Sequence, residues 1–191
     1  MKRKDRMGGE RQSLEKVKGR EPEAHREGTT LLQDILYLIV KIIGIAAVFL
    51  LIFTFLFGVF RYHDAAMKPA IQDGDLVLFY RLDKNYVASN TIVVKYHGNL
   101  QVRRVVAVAG DVVDIAEEGL LINGALQQEV EIYEDTVQYK KGIDFPVTIG
   151  KGQVFVLGDS RETATDSRIY GPIEIKDTLG KVMTLIRRRG I

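Results

Sequence analysis

Residues 100–115 read Leu-Gln-Val-Arg-Arg-Val-Val-Ala-Val-Ala-Gly-Asp-Val-Val-Asp-Ile, and the pattern of this stretch decides the fold. β-branched residues crowd both halves and Gly110-Asp111 interrupts them, so the stretch reads as two strands joined by a turn. The same alternation of turn and apolar run extends in both directions. Upstream, Asp73-Gly74-Asp75 precedes Leu76-Val77-Leu78-Phe79, Asn90-Thr91 precedes Ile92-Val93-Val94, and His97-Gly98-Asn99 turns into residues 100–109. Downstream, Leu120-Leu121-Ile122 runs into Asn123-Gly124, a hairpin signal. Residues 153–157 and 180–186 supply two further apolar runs. No helical period of comparable length lies between them, which predicts a mainly β domain of antiparallel pairs over residues 62–191.

Ahead of that domain the composition changes twice. Residues 1–30 are dense in Lys, Arg, Glu and Gly and offer no apolar run, the composition of a disordered segment. Residues 31–61 read as one membrane anchor, because Ile42 to Phe60 is uncharged and spans roughly 28 Å as a helix, close to hydrocarbon thickness. A buried core helix would show a polar face, and this stretch has only Thr54 and glycines to offer. A cleaved signal peptide would carry a shorter apolar run after a short basic segment, and cleavage after Ala66 would put the charged Asp64 where a small neutral residue is wanted. The basic residues Lys2, Arg3, Lys4, Arg6, Arg11, Lys16, Lys18, Arg20 and Arg26 favour a cytoplasmic N-terminus at the plasma membrane, with the β domain outside.

The remaining composition removes whole classes of function. Twenty-seven Lys and Arg stand against 25 Asp and Glu, a net charge of +2, so nothing argues for nucleic acid as a partner. Cysteine is absent, which eliminates disulfides, thiolate nucleophiles and cysteine zinc sites together. His25, His63 and His97 lie far apart and without metal-ligand spacing, so neither a metal site nor a cofactor is expected. A basic C-terminus, Arg187-Arg188-Arg189, reads as a solvated tail, with anionic headgroups or wall polymer as the alternative contact.

Four separated segments carry a resemblance. Ala66-Met67-Lys68-Pro69 with Asp73-Gly74-Asp75 comes first, then Arg103-Arg104-Val105-Val106-Ala107-Val108-Ala109-Gly110-Asp111, then Leu121-Ile122-Asn123-Gly124. Gly158-Asp159-Ser160-Arg161-Glu162-Thr163-Ala164-Thr165-Asp166-Ser167-Arg168 is the fourth. In this order, after one apolar anchor, they resemble the boxes of the type I signal peptidases, serine/lysine peptidases of family S26. The resemblance implies a signal-peptidase-like antiparallel β fold after one transmembrane helix. It also implies a chemistry in which the serine of the first box attacks and the lysine of the second takes its proton.

Both reacting groups are missing here. The nucleophile position holds Ala66 and the base position Arg103, whose guanidinium stays protonated and cannot accept a proton. Asp64 stands where some members of the family carry a serine that donates to the oxyanion, and a carboxylate there would repel developing negative charge. Ala164 replaces a serine thought in the family to orient the lysine. The opposite charges of Arg103 and Asp64 predict an ion pair at the old catalytic position. Arg104, Asp159, Arg161, Asp166 and Arg168 are expected to hold the loops around the cleft, as in the family. Met67 and Pro69 would shape its wall, and a plain core role for the methionine fits as well.

Three functions follow from this pattern. The first is a degenerate, non-cleaving member that holds exported polypeptides by strand addition; similar inactive proteins of Gram-positive bacteria are associated with pilus loci, which makes pilin subunits and sortase the implied partners. The second is an active signal peptidase with a non-standard nucleophile, recruiting Ser160, Ser167 or Ser89, or Asp64 with another carboxylate. The third is a structural partner that docks onto an active signal peptidase or a sortase and tunes it.

Overall fold

The computed structural model describes residues 30–187, so the polar segment before Thr30, and Arg188 and Arg189, lie outside the described residues. The chain divides into two compact units, 1–47 and 48–191. Helix α1, Leu31–Leu56, has 26 residues and runs about 39 Å at 1.5 Å per residue, ample for a bilayer core. Among the described residues it is the one helix long and apolar enough to cross a membrane. Its charged residues, Asp34 and Lys41, fall in the first half, where the Lys41 ammonium lies 4.4 Å from the Tyr37 ring centre.

The anchor expected over residues 31–61 ends earlier. At Phe57 the chain becomes strand β1, Phe57–Arg61, which pairs antiparallel with β2, Leu76–Tyr80, from Phe57 opposite Tyr80 to Arg61 opposite Leu76. Hydropathy sees only apolar residues in Phe-Gly-Val-Phe, and these suit a strand as well as a helix. Gly58 makes the pairing possible, because a Cβ on it would fall inside the Phe79 ring. The strand is fastened to its neighbours as well: Arg81 donates from its backbone N–H to the Leu56 carbonyl and from Nε to the Phe57 carbonyl at 3.1 Å.

The remaining strands are β3 (Thr91–Tyr96), β4 (Asn99–Val108), β5 (Val112–Ala116), β6 (Gly119–Ile122), β7 (Ala125–Leu126), β8 (Val147–Thr148), β9 (Gln153–Leu157), β10 (Ile173–Glu174) and β11 (Gly180–Ile186). A short helix α2, Ser167–Tyr170, begins within the fourth box. Seven strands make one sheet in the order β1-β2-β11-β3-β4-β9-β10 and four make a second, β7-β6-β5-β8, with every pairing antiparallel. This is the mainly β fold the turns and apolar runs predict.

Strand β9 shows why its sequence is continuously apolar. Val154 and Val156 pack with Tyr86, Ile92, Val94 and Val105 on one face, while Phe155 and Leu157 pack with Ala107, Val113, Ile115 and Leu120 on the other. A strand buried on both faces has no polar alternation to show. A third cluster, Tyr62, Met67, Ile71, Val77, Phe79, Val93 and Val102, lies under the turn that follows β1. That turn carries the first box and includes a cis peptide between Lys68 and Pro69. Arg187 keeps an exposed side chain, while its Nη2 donates to the Ala70 carbonyl at 3.1 Å and its Nε lies 3.8 Å from buried Asp75.

Candidate functional site

Strand β4, the turn after β1 and the loop after β9 bring the first, second and fourth boxes together. Ala66 is 1% exposed and its carbonyl accepts from the Ser160 N–H at 2.9 Å. Gly158 sits against it so closely that an added Cβ would collide with both the Ala66 carbonyl oxygen and the Ala164 methyl. Ala66, Gly158 and Ala164 therefore form a packed seam of small residues where the resemblance puts a nucleophile.

Arg103 enters the same place from β4 and is likewise 1% exposed. Its Nε donates to the Thr165 carbonyl at 2.9 Å, and its Nη1 donates to the Val102 carbonyl at 2.6 Å and to Asp64 Oδ2 at 3.1 Å. The other oxygen of that carboxylate, Oδ1, accepts from the Ala66 N–H at 3.0 Å. A buried guanidinium is costly unless its donors are satisfied, and here carbonyls and a carboxylate accept from Nε and Nη1. The hydroxyls of Tyr62 and Tyr170 are buried near this guanidinium but make no hydrogen bond of good geometry. Burial pushes both phenols well above their ordinary range; for Tyr62 the Asp64 carboxylate adds to the rise and Arg103 opposes it.

A family model for signal peptidase, peptidase S26, matches residues 33–186. The chain belongs to that family. Signal peptidase IB of Staphylococcus aureus (strain COL) is 31% identical over 168 residues, covering 74% of this chain and 85% of the relative. The probable thylakoidal processing peptidase 2, chloroplastic, of Arabidopsis thaliana is 30% identical over 131 residues, covering 62% of this chain and 35% of that protein. A crystal structure of a signal peptidase I from Enterococcus faecalis V583 is 23% identical with a TM-score of 0.44, covering 52% of this chain and 97% of that chain.

The side chains at positions 66 and 103 limit the chemistry available at this place. A methyl group at position 66 has no lone pair with which to attack, and a guanidinium at 103 has no basicity to lend. Two of the serines named as alternative nucleophiles, Ser167 and Ser160, are engaged in hydrogen bonds of their own. Ser167 is fully buried and its Oγ accepts from the Val156 N–H at 3.0 Å. Ser160 Oγ lies 2.8 Å from Thr163 Oγ1 and 3.3 Å from Glu134, and Ser89 is exposed on the turn before β3. None of the three has a Lys or His side chain as a hydrogen-bond partner among the described residues.

The framework residues of the family boxes are densely bonded. Arg104 forks onto Asp159, Nε to Oδ1 at 2.7 Å and Nη2 to Oδ2 at 2.6 Å, and this carboxylate raises the guanidinium pKa against the opposing effect of burial. Asp166 and Arg168, both fully buried, pair through both oxygens at 2.9 and 2.8 Å. Asp166 also accepts from the N–H groups of Gly158 and Arg168, so it ties the loop to the start of α2. Met67 is buried in the core cluster while its neighbour Pro69 is exposed.

Four partners of this framework have no signature in the sequence. Arg161 is fully buried and forks onto Glu129 with both bonds at 2.6 Å; it also donates to Thr136 Oγ1. Glu134 accepts from the Glu162 N–H at 2.9 Å. The Tyr139 hydroxyl donates towards the carbonyls of Arg161, Glu162 and Ala164, and the Arg168 guanidinium lies 4.4 Å from its ring centre. All four lie in residues 127–141, a segment with no apolar period and no motif.

Proposed function

We propose that the chain is a non-cleaving signal peptidase homologue, a single-pass membrane protein with a cytoplasmic N-terminus that holds exported polypeptides on its outward domain. The observation that carries this reading is the pairing at its centre: a methyl group at 66 and a buried, carboxylate-bound guanidinium at 103. Neither half of a nucleophile-base couple is present. Membership of the family supports exported chains as the clients and the membrane as the setting. The apolar helix Leu31–Leu56 fits a single-pass anchor. The basic segment before it supports the orientation. Pilin subunits, with sortase as the downstream enzyme, are the clients that the resemblance to inactive Gram-positive members favours.

The reading is tested with the full chain in a bilayer. Presented with a preprotein that an active signal peptidase cuts, it is expected to give no product and to retain the substrate through washing. Cleavage at the signal junction would end the reading. Retention no greater than that of an unrelated membrane anchor would remove the binding half of it.

A further inference from the structure

The Asp64 carboxylate bridges two donors that converge from different parts of the fold. Oδ1 accepts from the Ala66 N–H at 3.0 Å, and Oδ2 accepts from Arg103 Nη1 at 3.1 Å. One donor belongs to the turn after β1 and the other to β4, so the carboxylate joins the two walls of the former cleft. Its side chain keeps 33% of its accessible surface, whereas the Arg103 side chain behind it keeps 1%. The carboxylate is thus the more exposed partner, lying over a buried cation and accepting from a backbone amide.

We propose that these two donors form a carboxylate-binding pocket, and that Asp64 occupies it in cis as a built-in ligand that closes the cleft to the carbonyl groups of a bound chain. A guanidinium and a backbone N–H pointing at one spot make a site for a monoanion with two oxygens. Asp64 reaches this spot through a turn of only two residues, so it competes as an intramolecular ligand against any external acceptor. An extended client would therefore lie along the domain without inserting a carbonyl beside Ala66. The lock is independent of the missing nucleophile, because a serine at 66 would still find the neighbouring amide taken.

Removing the tethered carboxylate and supplying a free one tests the assignment. The full chain in detergent or nanodiscs, carrying Asp64→Ala, should melt several degrees below the wild type. Millimolar formate or acetate should recover much of that loss where equal chloride does not, since a ligand that binds only the folded state raises the melting temperature. The wild type should show no such response, its pocket being filled. Asp64→Ala with Arg103→Gln should show none either, having lost the cation. Absence of carboxylate-specific recovery in Asp64→Ala, or equal recovery in the double variant, would overturn the proposal. Asp64→Asn keeps the side chain's shape and serves if the alanine variant does not fold: it should melt below the wild type and ignore formate, and melting with the wild type would refute the lock. Cleavage of a preprotein by the wild type would sink the functional reading above and leave this assignment standing.

Discussion

Arg161 and Glu129 face each other in a two-pronged ion pair, each guanidinium nitrogen 2.6 Å from its carboxylate oxygen, across a sequence separation of 32 residues. Arg161 is fully buried and also holds the Gly158 carbonyl at 2.9 Å, so the pair fixes residues 127–141 onto the loop that contains Ala164. Glu129→Gln keeps the size and removes the charge, leaving a buried guanidinium without its counter-ion. Breaking a buried pair in this way costs about 3 kcal/mol or more. Urea denaturation should show that loss, and amide exchange should accelerate in residues 127–141 before it does in β9. A variant as stable as the wild type would mean that other acceptors carry the arginine.

Restoring the nucleophile alone should not restore cleavage. Ala66→Ser supplies a hydroxyl, but the Arg103 guanidinium cannot take its proton. The combination Ala66→Ser, Arg103→Lys, Asp64→Ser and Ala164→Ser returns a nucleophile, a base and their supports. Because a positioned general base contributes about 100-fold or more, the combined variant should exceed Ala66→Ser by at least that factor in a preprotein assay. Measurable turnover by Ala66→Ser alone would show that some other group serves as the base.

Alkaline stability should depend on the buried phenols around Arg103. Tyr62 and Tyr170 ionise in the folded protein well above their ordinary value near 10, chiefly because burial disfavours the phenolate. Above pH about 10 the unfolded chain releases these protons while the folded chain keeps them, so stability falls as pH rises. Below that pH both states are protonated and the two phenols contribute no slope. Denaturation midpoints measured across this range should fall less steeply in Tyr62→Phe and Tyr170→Phe. Identical slopes in wild type and variants would exclude these groups as the source.

Gly58 should tolerate nothing larger. An added Cβ would enter the ring of Phe79, which is itself 2% exposed and packed with Tyr62 and Met67. Gly58→Ala should cost about 1 to 3 kcal/mol through overpacking. A thermal melt of the full chain measures it. Gly58→Ala combined with Phe79→Leu, which clears the space, should recover part of the loss.

Most of the β domain was legible because its turns announce themselves. Gly110-Asp111 and Asn123-Gly124 separate apolar runs, and Asn123 has the positive φ of 53° that a hairpin turn of this kind requires. The end of the helix was not legible, since Phe57 to Phe60 satisfies hydropathy equally well as strand or span, and only pairing with Leu76–Tyr80 decides between them. At the site, Asp64 and Arg103 could be matched by opposite charge. Glu129 and Tyr139 could not, because their partners are set by the path of a long irregular segment that leaves no periodic trace. The short strands β7, β8 and β10 have two residues each, too few for any alternation to appear.

The bonds made by Arg104, Asp159, Asp166 and Arg168 bear on how enzymes of this kind are counted in genomes. These residues make the boxes recognisable, and in this chain they fasten loops. On the proposed reading, a census that tallies such signatures enumerates scaffolds, and working proteases are told apart by what stands at the positions occupied here by Ala66 and Arg103.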